Sequence, residues 1–163
     1  MTLQRTTAAA YRVIHAEFTI ERVYDAAPAR VYAAFADVET KQRWSFCHSE
    51  WPVEHVLDFR PGGRETIRTG PPGGIVHLCD ALYHDTVPAE RIIYSYAMHL
   101  DAQRISVSLV TVQLQAEGSG RTRLTLTEQG AYLDDWTDVK GREEGMRLGL
   151  DNLAEDLRRP QAA

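Results

Sequence analysis

The chain has 163 residues, of which 44% are hydrophobic and 25% charged, and its formal net charge is −5. That length suits one compact domain able to bury roughly 70% of its unfolded surface, and the composition excludes disorder and collagen-like repeats. The acidic balance argues against sequence-independent nucleic-acid binding, which needs Lys and Arg to displace counterions, and no apolar run nears the roughly 20 residues that span a bilayer.

Residues 1–12 read as a loose arm before a single domain over 13–159. The arm's first ten residues hold one Arg and no leucine-rich stretch, so no secretory signal is expected. Two cysteines, Cys47 and Cys79, are too few for a disulfide framework and fit a reducing cytoplasm. Phe18 and Ile20 alternate with Glu17, Thr19 and Glu21, as a half-buried strand requires. Pro28 is suited to the first position of a helix, and Val31 and Phe35 follow at i, i+4, which predicts a short helix to about Ala36. Asp37 is placed to cap a second short helix reaching Arg43 or Trp44.

Beyond Trp51-Pro52 the chain becomes strand-rich. Val53, His55, Leu57 and Phe59 share one parity, and Pro61-Gly62-Gly63 forms a turn before a short polar strand over 64–69. Segments 75–86, 91–99 and 104–116 read as long strands rich in Ile, Val, Tyr and Thr. After Gly118-Ser119-Gly120, the strand Thr122–Glu128 alternates Leu124 and Leu126 with Thr125 and Thr127. Met146, Leu150, Leu153 and Leu157 then trace one stripe of a helix that starts between Asp138 and Gly141 and stops near Arg158, before Pro160. One apolar stripe needs a partner surface, and a long meander supplies it. The predicted class is α+β, a curved seven-stranded antiparallel sheet around a long C-terminal helix.

This order, β-α-α-β6-α, resembles the helix-grip fold of the START and birch-pollen-allergen (SRPBCC) superfamily. Arg22 to Tyr32 resembles that family's opening motif, Thr40 to Trp44 its short helix ending in tryptophan, and Arg60-Pro61-Gly62-Gly63 its turn after the second strand. Val87 to Ile92, Thr122 to Thr127 and Gly145 to Leu157 match its later motifs in the same order. Together they point to the branch resembling the C-terminal domain of the activator of heat-shock-protein ATPase (Aha-type). The chain departs from the family at Ser45, Ala89 and Met146, where a Trp, a Pro and a Trp are usual, so no relative's ligand is carried over.

The resemblance implies an apolar cavity between sheet and helix, open at one end. Candidate lining residues from the helices are Phe35, Trp44, Met146, Gly149 and Leu150; from the strands they are His55, Leu57, Phe59, His77, Cys79, Tyr94, Tyr96 and Glu128. Gly145 and Gly149 leave either room for a ligand or a close approach of the sheet. Tyr94 and Tyr96 share a face with Ile92 and Met98, and their hydroxyls either orient a ligand or serve packing. For Glu128 the preferred reading is that its strand has emerged into solvent by that point; the alternative places it in the cavity as a hydrogen-bonding group or base. His77 and Cys79, with His55, offer too few ligands for zinc, and no metal or cofactor is expected. The pair Cys47-His48 invites a nucleophile reading, but adjacent strand residues point to opposite faces and no nucleophile elbow surrounds it.

The leading functional expectation is a cavity protein holding a small, mostly apolar or aromatic molecule, without nucleic acid or membrane as partner and more a binder than an enzyme. The alternatives are an enzyme of the cyclase, dehydratase or hydrolase type working through His55, His77, Tyr94 and Glu128, and a chaperone-associated interaction domain. The chain shows no separate N-terminal domain of the full-length activators, which weighs against chaperone activation. The strand over 104–114 carries Ile105, Val107 and Leu109 on one parity and Val110, Val112 and Leu114 on the other, which predicts a homodimer through the outer sheet face.

Overall fold

A computed structural model describes residues 11–46 and 48–160 of the chain. The elements run β1 (Val13–Tyr24), α1 (Pro28–Ala36), α2 (Val38–Ser45), β2 (Val53–Leu57), β3 (Arg64–Thr69), β4 (His77–Val87), β5 (Arg91–Leu100), β6 (Gln103–Ala116), β7 (Thr122–Leu133) and α3 (Val139–Leu157). All strands join one antiparallel sheet in the order β1-β7-β6-β5-β4-β3-β2. The first two strands therefore lie at opposite edges, and α1 with α2 carries the chain across one face between them. This is the α+β helix-grip order predicted from the sequence. Most of residues 1–12 and Cys47 lie outside the described residues. No helix among them is long and apolar enough to cross a membrane.

The helix ends follow from their caps. Pro28 opens α1 at a position whose N–H has no intrahelical partner. Asp37 caps α2 by accepting from the Thr40 backbone N–H at 2.8 Å and from its hydroxyl at 2.6 Å. Asp138 caps α3 by accepting from the Gly141 N–H at 2.9 Å. The C-terminal half of α3 is tightly fastened: Leu150, Leu153 and Leu157 are buried, Tyr24 donates to the Leu150 carbonyl at 2.9 Å, and Arg43 pairs with Asp156 at 2.6 Å. Along its N-terminal half only part of each side chain is covered, as at Met146.

Two sequence expectations change. Strand β7 does not end at Glu128 but continues to Leu133, because it pairs along its whole length with β1, from Tyr24 opposite Thr122 to Val13 opposite Leu133. Gly130 lies within the continued strand. It is covered by the Tyr132 ring, so that a Cβ there would lie 2.8 Å from Tyr132 Cε2 and 3.1 Å from Ser108 Oγ. Glu128 is consequently mid-strand and 1% exposed, not in solvent. Where β6 pairs with Met98 and His99 of β5 the register shifts at Ile105, which is buried rather than sharing the exposed outer face with Val107 and Leu109.

Candidate functional site

The antiparallel register lines up three rows of inward side chains beneath α2 and α3. One row runs Tyr83, Tyr94, Val110, Glu128, Phe18; the next runs Leu57, Glu65, Ala81, Tyr96, Ser108, Gly130; the third runs His55, Ile67, Cys79, Met98, Ser106, Tyr132. Aliphatic and aromatic positions dominate, yet two carboxylates lie among them.

The first carboxylate is Glu65. It accepts from Lys41 Nζ at 2.6 Å and from the Tyr83 hydroxyl at 2.7 Å on Oε2, and meets His55 Nε2 at 2.6 Å on Oε1. Lys41 reaches it from α2, also donates to Tyr83 at 2.9 Å, and stands 5.7 Å from the centres of the Tyr83 and Tyr94 rings. Burial pushes the Glu65 pKa up, but the Lys41 charge and the hydrogen bonds from His55, Lys41 and Tyr83 outweigh it and hold the carboxyl down to about 2. The second carboxylate, Glu128, accepts from Tyr96 at 2.8 Å and from Arg142 Nη1 at 3.3 Å. Arg142, in the first turns of α3, also donates to the Tyr96 hydroxyl at 2.7 Å and to Ser106 at 2.9 Å, and lies over the Tyr96 and Tyr132 rings. Each buried acid thus has its own cation, one from α2 and one from α3.

Tyr94 sits between these clusters, 5.5 Å from the Tyr83 ring and 6.2 Å from the Tyr96 ring. Burial, reinforced by the charges of Glu128 and Glu65, keeps its hydroxyl protonated far above the usual range. Tyr83 and Tyr96 both spend their hydroxyls on carboxylates; Tyr94 has no such hydrogen bond, and its side chain remains only partly buried. Cys79 is also partly buried on this inward face, and desolvation pushes its thiol up to about 12, which makes it inert as a nucleophile.

The other candidates separate into groups. Leu57, Phe59 and Met146, with Met98, are partly buried and pack against the core, Phe59 standing edge-on to Tyr83 at 4.9 Å. Phe35, Trp44, Gly149 and Leu150 belong to the packed layer under the C-terminal half of α3: Trp44 donates to the Ala34 carbonyl at 2.9 Å and its ring meets Phe35 edge-on at 4.8 Å. A Cβ at Gly149 would lie 3.7 Å from the Trp44 carbonyl oxygen, an ordinary contact distance, so this position faces α2 rather than the sheet. His77 is set apart at the strand end, its ring 5.4 Å from Trp51, on which the exposed His48 stacks at 3.9 Å. Among the described residues no group of three His, Cys, Asp or Glu side chains is placed to hold a metal ion.

Sequence reasoning missed Lys41, Glu65, Tyr83, Arg142 and Ser106. The signals were weak but present: Lys41 precedes Trp44 by three and so shares its helix face, and Glu65 shares the parity of Ile67 in β3.

Comparison with known proteins supplies relatives with this architecture. A family model described as "Activator of Hsp90 ATPase homolog 1-like protein" matches residues 25–158. The chain is similar to a solved structure of an uncharacterized protein from Rhizobium leguminosarum, with 43% identity and a TM-score of 0.87, covering 93% of this chain and 99% of that one. It is similar also to the Mll3558 protein from Rhizobium loti, with 46% identity, a TM-score of 0.83 and coverage of 89% and 99%. Protein CV1439 from Chromobacterium violaceum, at 24% identity and a TM-score of 0.73 over 88% and 98%, shares the fold. No curated protein matches the chain.

Proposed function

The chain belongs to the Activator of Hsp90 ATPase homolog 1-like family, and from that premise we propose that it is a binding protein for a small, neutral, mostly apolar or aromatic molecule. The ligand lies in a cavity between the sheet and the N-terminal half of α3. The observation that carries this reading is Tyr94. Its hydroxyl is strongly desolvated, yet it lacks the hydrogen bond that Tyr83 and Tyr96 each make, and its side chain keeps accessible surface. A tyrosine hydroxyl on an apolar wall normally finds a partner, and a ligand oxygen provides one here.

The surrounding groups favour the rest of the assignment. Leu57, Phe59, Cys79, Met98 and Met146 give apolar, partly buried walls, of the kind that small-molecule sites use around a few polar groups. Lys41 is matched by Glu65 and Arg142 by Glu128. A ligand bearing a formal charge would enter without a counter-charge, at a steep desolvation cost. Neutrality follows.

Native mass spectrometry with 2-naphthol tests the reading. The expected result is a saturable one-to-one adduct, weakened about fivefold to tenfold in Tyr94→Phe by loss of one hydrogen bond of about 1 kcal/mol. Absence of a saturable adduct, or equal affinity in Tyr94→Phe, overturns it.

A further inference from the structure

The face of the sheet turned away from the helices carries an ordered pattern across its strands. From β1 through β7, β6, β5 and β4 to β3, one row reads Glu17, Gln129, Leu109, Ser95, Leu82, Arg64. The row beside it reads His15, Ala131, Val107, Ala97, Asp80, Thr66. Each row sets a large apolar side chain of β6 next to a small residue of β5, and the first ends in an acid on one side and a base on the other. Val107 and Leu109 stand 42% and 39% exposed, along an open groove that Ser95, Gln129 and Ala131 help to line. The charge bias extends along the edges, where Glu21 is also exposed on β1 and Arg68 on β3. Both end groups of the first row keep bonding capacity. Gln129 donates to Glu17 Oε2 at 2.8 Å and leaves Oε1 to accept, while Arg64 gives one N–H to Asp80 at 2.6 Å and holds others in reserve on a 62% exposed side chain.

We propose that this face binds a second copy of the chain about a two-fold axis that runs parallel to the strands, between β5 and β6. That rotation lays β6 on β5, β7 on β4 and β1 on β3 of the second copy. Leu109 and Val107 then fall over Ser95 and Ala97, large over small. Glu17 falls over Arg64, and because a two-fold contact is self-complementary the pair forms at both ends of the interface. Packed sheets lie about 10 Å apart, within the combined reach of a Glu and an Arg side chain. The other axis in the plane of the face, across the strands, would stack β1 on β1 and β3 on β3. It would set Glu17 and Glu21 of both copies together, and Arg64 and Arg68 likewise, and like charges juxtaposed in an interface are costly. The charge pattern therefore selects the first axis. A face seven strands wide measures about 29 Å across, and a contact of about 27 Å along the strands covers on the order of 800 Å². That is as much as each partner buries in a stable interface of standard size.

Sedimentation velocity of the full chain over a concentration series tests the arrangement. The wild type is expected to dimerise. Glu17→Arg and Arg64→Glu are each expected to weaken dimerisation by about tenfold or more, since each turns two attractive pairs into two repulsive ones. The variant carrying both changes restores opposite charges and is expected to return to within about threefold of the wild type. Both positions are exposed, so all four proteins are expected to give the same far-ultraviolet circular dichroism. A monomer at every concentration overturns the proposal, as does a double variant that dimerises no better than either single one. Tighter dimerisation of Glu17→Arg also overturns it, because that result marks the axis that stacks β1 on β1.

Discussion

Lys41 of α2 and Glu65 of β3 meet at 2.6 Å, and both are almost fully buried, at 6% and 2% exposure. Such a pair gains little over an apolar contact of the same volume, yet removing one member leaves an uncompensated charge inside. Lys41→Met is therefore expected to destabilise the protein by about 3–5 kcal/mol, and Lys41→Met combined with Glu65→Leu to recover most of that loss. Urea unfolding of the three proteins at neutral pH checks it; a double variant no more stable than the single one would contradict the pairing.

The same pair sets an acid limit. The Glu65 carboxyl is held at about 2 in the folded protein, below its ordinary value of 4.5. A depressed folded value means that the contribution is fully present above about pH 4.5 and is lost as pH falls toward about 2. Its size is on the order of 3 kcal/mol. Stability followed against pH should fall more steeply over that window in the wild type than in the double variant, which lacks the group.

Gly149 answers to a different neighbour. With 3.7 Å between its would-be Cβ and the Trp44 carbonyl oxygen, an alanine fits at ordinary contact distance. Gly149→Ala is expected to stabilise α3 by about 0.5–1 kcal/mol through backbone entropy. Gly149→Leu is expected to force α3 away from α2 and destabilise by about 1–3 kcal/mol. Thermal unfolding separates the two, and a neutral leucine variant would show that the helices do not approach as described.

The fold was legible because its signals are local. Asp37 and Asp138 cap helices within three residues of themselves, and the alternation in β1 and β7 needs no knowledge of what lies opposite. The site was much less so. Lys41 and Glu65 carry little signal of burial, since charged residues in a short helix and a polar strand are usually solvated, and their meeting depends on α2 packing over β3. Glu128 was misplaced because the pairing with β1 that carries β7 onward to Leu133 is long-range. Tyr94 and Tyr96 looked equivalent by parity; only the position of Glu128 and Arg142 distinguishes the engaged hydroxyl from the open one.

Val107 and Leu109 are 42% and 39% exposed on the outer sheet face, along an open groove edged by His15, Glu17 and Gln129. The homodimer expected from the apolar faces of β6 would cover them. Light scattering should then report a dimer for the wild type and a monomer for Val107→Glu with Leu109→Lys. A monomer mass that does not change with concentration would contradict self-association.

The most direct measurement is a 2-naphthol titration of protein labelled at its methionine methyl groups. The chain has three methionines, and Met98 on β5 and Met146 on α3 both stand partly buried against the core, where the proposed cavity lies. Their two signals are expected to shift together and to saturate at one equivalent. A titration in which 2-naphthol binds while both signals stay still would contradict a ligand held between sheet and helix.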